Sequence, residues 1–191
     1  MSSSNVSIVN VVGGGELGVQ MDLAKLYNEL NVEEIEYEPE TSPMLKFKIH
    51  KDGPTVMLFS SGSYFLAGAI SIKQAKKVYC NMVSEVENLG VDTKDPYFEI
   101  RNIVCKFEFE REFELSELSI ALGLEHCEYN PEHSPGIICR FTDCTGVFHI
   151  FRTGVILLTG SKTMEEIPDN IRVLVDRLDE IGIDVSNPVA D

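Results

Sequence analysis

The sequence predicts an α+β protein built by duplication: one curved antiparallel sheet of about ten strands, with four helices on one side. Three observations carry that expectation. First, "EYEPETSP" at residues 36–43 returns as "EYNPEHSP" at residues 128–135, an offset of 92. Second, the same offset lays "IVNVV" (8–12) on "IRNIV" (100–104). It also lays Leu23, Leu26 and Leu30 on Leu115, Leu118 and Leu122, and Phe59, Gly62, Leu66 and Gly68 on Phe151, Gly154, Leu158 and Gly160. Two copies of roughly 90 residues are too few and too long for a solenoid, so they read as a duplicated domain with a pseudo-twofold axis. Third, each copy sets one short and one long helical pattern among runs of strand-type sequence broken by tight turns.

In the first copy, Val6–Val12 is a β-rich strand. Gln20–Leu30, "QMDLAKLYNEL", puts Met21, Leu23, Leu26, Tyr27 and Leu30 on roughly one helical face. Four short strands are expected near Glu33–Glu38, Met44–Lys51, Thr55–Phe59 and Tyr64–Ala67, separated by Pro, Asp-Gly-Pro and Ser-Gly turns. An amphipathic helix over Ile72–Leu89 closes the copy. The second copy repeats the order, with a strand at Phe98–Val104, a helix at Glu112–Leu122 and a closing helix at Glu165–Ile181. Pro168 falls in that helix's first turn, where its missing N–H costs little. Tight hairpins make the sheet antiparallel, and helices cover one face. The sequence offers no cover for the other face, which is expected to be a binding surface. The expected boundaries are 1–5 (disordered N-terminus), 6–92 and 98–184 (the two repeats) and 185–191 (C-terminal tail).

Composition is that of an ordinary globular chain of 191 residues, 43% hydrophobic and 25% charged. No apolar run approaches the ~18–20 residues a bilayer span needs. "MSSSNVSIVN" lacks a basic n-region and a long apolar stretch, so an intracellular protein is expected. Net charge is −15 and uneven: residues 1–92 hold 7 Lys+Arg against 12 Asp+Glu, and residues 93–191 hold 9 against 19. Such a chain is ordinarily a poor nucleic-acid binder, since phosphate affinity rests on Lys and Arg. An acidic excess also suits a very salty cytoplasm, and composition leaves both readings open. Cys80, Cys105, Cys127, Cys139 and Cys144 contain no C-x-x-C and are expected to be reduced, mostly buried thiols. A zinc site wants four convergent ligands. Strand alternation instead sends Cys139 inward and His149 outward, so no metal or other cofactor is expected. No Ser/His/Asp or Cys/His constellation is legible, which argues against an enzyme.

The strand "I-x-N-[VI]-V", the "Y-[EN]-P-E" turn, and the "[LI]-F-x-[ST]-G" hairpin followed by "x-G-[AS]" occur in order and in duplicate. Together they resemble the TATA-box-binding protein (TBP) core of archaeal type, over about residues 6–184. The acidic balance is similar to that of halophilic members. The resemblance implies a saddle whose concave sheet lies in the minor groove of AT-rich promoter DNA. Its convex helices would meet other factors, with transcription factor B as direct partner and RNA polymerase as an indirect one. It implies a cytoplasmic, nucleoid-associated protein with no membrane partner. Members of this family are themselves the standard example of minor-groove binding with apolar wedges.

By position, Asn10 and Asn102 match a central pair that hydrogen-bonds base-edge acceptors, and Val12 and Val104 match apolar contacts beside them. Phe59 and Phe151 match one wedge in each half. Thr159 matches a central Thr, Lys48 and Arg140 match basic groove-edge positions, and Lys162 matches a phosphate-contacting Lys. Alternation along the strands adds Met57 and His149 to the face of Phe59 and Phe151, and also places Phe65 there. Leu157 belongs to the same expected DNA-contacting set. Glu132, with His133 beside it, matches an acidic contact to transcription factor B on the second stirrup turn.

The departures are specific. Ser42 and Ser134 stand where the family has a second wedge Phe. Ser63, Ile70 and Val155 replace lysines, Ala67 replaces a Thr, and Gly53-Pro54 replaces a basic turn. Weaker bending and weaker binding are therefore expected, with Phe65 compensating in part, on a face nearly free of acidic side chains. The alternative is a divergent paralogue acting as a protein-binding adaptor or decoy with weak or no DNA bending.

Overall fold

The computed structural model describes residues 6–185 and 188. The stretch expected to be a disordered N-terminus and most of the expected tail lie outside the described residues. The described residues divide into two compact units, one of Val9–Arg101 and one of 102–185 with 6–8. The first unit is built from β1 (Ser7–Glu16), α1 (Leu23–Glu29), β2 (Glu34–Tyr37), β3 (Met44–Lys48), β4 (Thr55–Phe59), β5 (Ser63–Ala69) and α2 (Ile72–Asn88). Its strands are hydrogen-bonded in the order β2-β3-β4-β5-β1. The second is built from β6 (Tyr97–Glu108), α3 (Leu115–Ala121), β7 (Cys127–Glu128), β8 (Gly136–Arg140), β9 (Val147–Phe151), β10 (Val155–Ser161) and α4 (Glu166–Glu180). Its order is β6-β10-β9-β8-β7. Pairings are antiparallel throughout the described registers.

The two helices of the first unit begin where a side chain satisfies a free N–H group. The Asp22 carboxylate accepts the Lys25 N–H at 3.0 Å and starts α1 at Leu23, past the Gln20 that periodicity suggested. Ser71 caps α2 by accepting the Gln74 N–H at 3.1 Å. In α4, Glu166 and Asp169 sit in the first turn, where the helix dipole favours negative charge.

β1 runs on through Gly13-Gly14-Gly15 instead of stopping at Val12. A Cβ on Gly15 would lie 1.9 Å from the Tyr97 carbonyl oxygen, and one on Gly13 2.2 Å from the Phe98 ring. The glycines admit the start of β6, whose Tyr97–Arg101 belongs to the first unit. Tyr79 of α2 stacks on both Phe98 and Tyr64, at 5.4 and 5.9 Å between centroids. Tyr64 Oη donates to the Tyr97 carbonyl at 2.7 Å.

Strands β3, β4 and β9 bury alternate residues. Leu45, Phe47, Val56, Leu58, Tyr64 and Leu66 pack beneath Leu26 of α1 and Ala75, Val78, Met82 and Val86 of α2. In the second unit Ile103, Phe107, Ile137, Phe148, Ile150, Ile156 and Leu158 pack with Leu118 of α3 and Ile167, Ile171, Leu174 and Leu178 of α4. Each fully buried aliphatic side chain is worth about 1.5–3 kcal/mol, so the helix-covered face holds each unit together.

The expectation of five reduced, mostly buried thiols is corrected. Cys127 of β7 lies directly opposite Cys139 of β8, and the two form a disulfide with Cα atoms 4.2 Å apart. Cys80 is exposed, while burial pushes the Cys105 thiol up to about 11. The sequence separation of twelve between Cys127 and Cys139 concealed that a hairpin turns between them. Among the described residues, no helix is long and apolar enough to cross a membrane.

Candidate nucleic-acid interface

On the face that carries no helix, register fixes which side chains are neighbours. In the first unit, Thr55, Met57 and Phe59 of β4 are half-buried on this face, while Val56 and Leu58 point to the core. Met57 lies between Lys46 and Phe65, Thr55 beside Ala67, and Phe59 beside Met44. Phe59 and Phe65 meet edge to face with centroids 6.2 Å apart. Phe65 is 44% exposed, unusually open for a ring in a strand. Asn10 and Val12 are half-buried in β1.

In the second unit, Val147, His149 and Phe151 of β9 occupy the equivalent face. His149 lies between Ile138 and Leu157, and Leu157 in turn lies beside Lys106. Phe151 lies beside Gly136, where a Cβ would come within 3.1 Å of its ring. The ring therefore has room that Met44 denies to Phe59. Burial, reinforced by Arg140, lowers the His149 pKa and keeps its imidazole neutral.

Asn10 and Asn102 do more than line the faces. The pairing of β1 with β5 and of β10 with β6 each contains a register shift, which leaves one glycine N–H without a ladder partner. Asn10 Oδ1 accepts the Gly68 N–H and Asn102 Oδ1 accepts the Gly160 N–H, each at 2.8 Å. Gly68 and Gly160 have φ of +95° and +101°, backbone that side chains disfavour. With Oδ1 engaged, each amide is fixed in one orientation and its Nδ2 hydrogens are the groups left to bond elsewhere. Asn102 Nδ2 donates to Thr159 Oγ1 at 3.0 Å, whereas Ala67 offers Asn10 no hydroxyl. The resemblance names Asn10, Asn102 and Thr159, but not the lock of the two asparagines onto glycine. The recurrence of Gly68 and Gly160 at the repeat offset was the available signal.

The charge expectation is corrected. Glu34 lies opposite Lys48, Glu36 opposite Lys46, and Glu128 opposite Ile138, so these acids share the open faces. Lys48 Nζ meets Glu34 at 2.8 Å, Lys46 Nζ meets Glu36 at 3.6 Å, and Arg140 meets Glu128 at 3.0 Å. Glu16 beside Ser63 and Glu108 beside Val155 add two further carboxylates. The outer strands β2 and β7 supply the pairing acids, and only their register with β3 and β8 shows which way those acids point. The two basic positions matched to the groove edge, Lys48 and Arg140, therefore already have carboxylate partners.

The remaining expected residues lie beyond these two clusters. Val104 is half-buried in β6. Lys162 is exposed just past β10, with its backbone N–H donating to Glu166 at 2.8 Å. Glu132 and His133 are exposed on the β7–β8 turn, whose backbone is closed by Asn130. At the second-wedge positions, Ser134 Oγ donates to the Gly136 carbonyl at 2.9 Å and the Ser42 N–H donates to the Glu38 carbonyl. Both serines close turns. Among the described residues, no group of three or more His, Cys, Asp or Glu could hold a metal ion.

Two units, each an antiparallel sheet backed by helices and open on a face of paired Asn, Val and Phe, define a TBP-like α+β fold. The family model described as transcription factor TFIID (or TATA-binding protein, TBP) matches residues 5–89 and 97–181, and the chain belongs to that family of non-enzymatic general transcription factors. It is 30% identical over 182 residues to a TATA-box-binding protein of Methanothrix thermoacetophila, covering 94% of this chain and 98% of that protein. It is 32% identical over 162 residues to TATA-box-binding protein C of Halobacterium salinarum, covering 84% and 90%. The solved structure of Methanococcus jannaschii TBP matches with a TM-score of 0.80 at 29% identity, covering 92% of this chain and 99% of that one.

Proposed function

We propose that the chain is an initiation factor that binds AT-rich, TATA-type promoter DNA in the minor groove through its two open faces. It would recruit transcription factor B through the turn carrying Glu132 and His133, and RNA polymerase through that factor. The observation that carries this reading is the pair of asparagine locks. In the minor groove an A·T pair displays only acceptors. With Oδ1 held by Gly68, Asn10 keeps both amide N–H donors for such a partner, and Asn102, held by Gly160, keeps the one not given to Thr159. Val12 and Val104 supply apolar contact two residues on from Asn10 and Asn102, and Met57 and Leu157 add to it further out on each open face. Phe59 with Phe65, and Phe151, supply wedges that lower the cost of unstacking, a few kcal/mol per step.

Electrostatics favour a distinctive salt response. Each exposed ion pair is worth about 0–1 kcal/mol, so a phosphate can take Lys48, Lys46 or Arg140 from its carboxylate at small cost. Cations already paired displace fewer counterions from DNA, and the slope of log K against log salt should be shallow. Such a slope fits a chain of net charge −15.

A fluorescence-energy-transfer bend assay on an end-labelled TATA duplex, from low to molar potassium chloride and with and without transcription factor B, tests the reading. A large bend that disappears when Phe59→Ala and Phe151→Ala are combined supports it. No bend at any salt, with factor B still bound, would replace it by the adaptor or decoy.

A further inference from the structure

His149 is the polar exception in an apolar stretch of the second unit's open face. Ile138 and Leu157 stand directly across from it on β8 and β10, and Val147 and Phe151 flank it along β9. Two positions along the neighbouring strands, Arg140 is engaged by Glu128 and Thr159 by Asn102. Among the described residues, no side-chain hydrogen bond reaches the His149 ring. None of their buried side-chain nitrogens or oxygens lacks a partner, so both ring nitrogens lie open on that face.

A neutral imidazole carries one N–H donor and one bare nitrogen that accepts. Burial, reinforced by Arg140, holds the ring in that neutral form. At the same repeat position the first unit has Met57, with no donor and only a weakly accepting sulfur. The amide oxygens of Asn10 and Asn102 are already taken by Gly68 and Gly160, and Lys46, Lys48 and Arg140 carry donors alone. His149 therefore brings a strong, free acceptor into an otherwise apolar patch. In the minor groove that chemistry has a reader's value. An A·T pair displays acceptors only, and a G·C pair adds the guanine N2–H donor. Against an apolar side chain that excludes water, the added donor goes unpaired and the pair is disfavoured. Against His149 it meets the bare ring nitrogen, while an A·T pair meets the ring's N–H.

We propose that His149 sets base specificity. It lets the second unit's open face accept a G·C pair at one step, where the first unit, with Met57, demands A·T. The two open faces then read different sets of base pairs. This assignment rests on the minor-groove reading above and concerns which pair is tolerated, not whether DNA is bound.

The test walks a single G·C pair, in both orientations, through a labelled TATA duplex and reads each affinity by fluorescence anisotropy. A parallel series carries inosine·cytosine, which lacks only the 2-amino group of guanine and so resembles A·T from the minor groove. Every cost is taken relative to each chain's own all-A·T parent duplex, and circular dichroism checks that the variants keep their fold. Expected for the unmodified chain is one step at which G·C costs about threefold or less, against about tenfold or more elsewhere, about 1.4 kcal/mol. His149→Met should raise the cost at that step to about tenfold, with inosine·cytosine there still costing little. His149→Gln, whose amide supplies both an acceptor and donors, should retain the tolerance. Tolerance that survives in His149→Met, or no tolerated step in the unmodified chain, overturns the assignment and leaves minor-groove binding standing. No binding of the all-A·T parent by the unmodified chain would remove the minor-groove reading itself, and this assignment with it.

Discussion

At the outer strand pair the first unit sets Ile35 against Phe47, and the second sets Cys127 against Cys139 at the same repeat positions. At the wedge, Phe59 leans on Phe65, whereas Phe151 lies beside Gly136 with Leu157 where the first unit has Phe65. Where Met57 faces outward in one unit, His149 does so in the other. Yet Gly68 and Gly160 keep nearly the same φ, and Asn10 and Asn102 make the same bond to them at the same distance. Duplication has preserved what the backbone cannot do without and released the side chains around it. The two faces therefore offer similar hydrogen bonds with different apolar and charged surroundings, and variants can separate what is shared from what is not.

The largest separation should come from the wedges. Phe151 has no aromatic neighbour on its own face comparable to Phe65, so Phe151→Ala leaves the second unit without a ring to insert. Unstacking a base step costs a few kcal/mol, and losing the ring that offsets it should weaken TATA binding roughly a hundredfold, about 2.7 kcal/mol. Phe59→Ala, with Phe65 beside it, should cost closer to about tenfold. Titrating both variants against the same labelled duplex decides the matter. Equal losses would mean that Phe65 does not act as a wedge.

The outer pairs come next. Cys127–Cys139 closes a loop with sequence separation 12, and a loop of ~15 residues is worth about 3 kcal/mol through the unfolded chain. Reduction, or Cys127→Ser with Cys139→Ser, should lower the stability of the second unit by about that amount and leave the first unit untouched. Hydrogen exchange read unit by unit would show this. Importing the first unit's solution, Cys127→Ile with Cys139→Phe, should recover part of the loss. A uniform loss of protection across both units would instead make the disulfide a global constraint.

The two units also differ in how much of them is legible in the sequence. Thr55–Phe59 was bounded correctly, because β4 alternates cleanly and is fenced by Gly53-Pro54 and Gly62. The same alternation put Met57, Phe59, Phe65, His149 and Phe151 on the open face. The extension of β1 through three glycines was not legible, since glycine reads as a breaker until Tyr97 and Phe98 are seen to require it. The acids of β2 and β7 were misjudged for a related reason. Which face Glu34, Glu36 and Glu128 occupy is decided by register with a neighbouring strand, not by their own pattern. Local chemistry was readable, and pairing across strands was not.

The ion pairs on the open faces give a smaller, sharper test. Glu128→Gln frees Arg140 and Glu34→Gln frees Lys48. Each change should raise DNA affinity a few-fold at low salt and steepen the slope of log K against log salt by about 0.9. Arg140→Gln should change the slope little, because Glu128 already neutralises that charge. A steep slope in the unmodified chain would show that these pairs do not persist in solution.

The smallest effect belongs to His149, and its sign is the informative part. Burial, with Arg140 adding to it, holds the folded pKa below the ordinary 6.5. Neutral His149 therefore contributes stability that is present above about 6.5 and is lost as pH falls through the lower folded value. Its cross-strand neighbours Ile138 and Leu157 carry no charge to oppose this. A phosphate brought near by DNA would favour the imidazolium, so complex formation takes up a proton and affinity rises as pH drops below that point. Fold stability and DNA affinity thus move in opposite directions over the same window, by less than about tenfold in affinity, since one pKa unit is 1.36 kcal/mol. His149→Met copies the residue at the equivalent first-unit position, Met57, and should remove the His149 part of both trends. If the unmodified chain and the methionine variant give the same pH profile of TATA affinity, His149 does not face the DNA. The asymmetry between the two faces would then be confined to the wedges and the ion pairs.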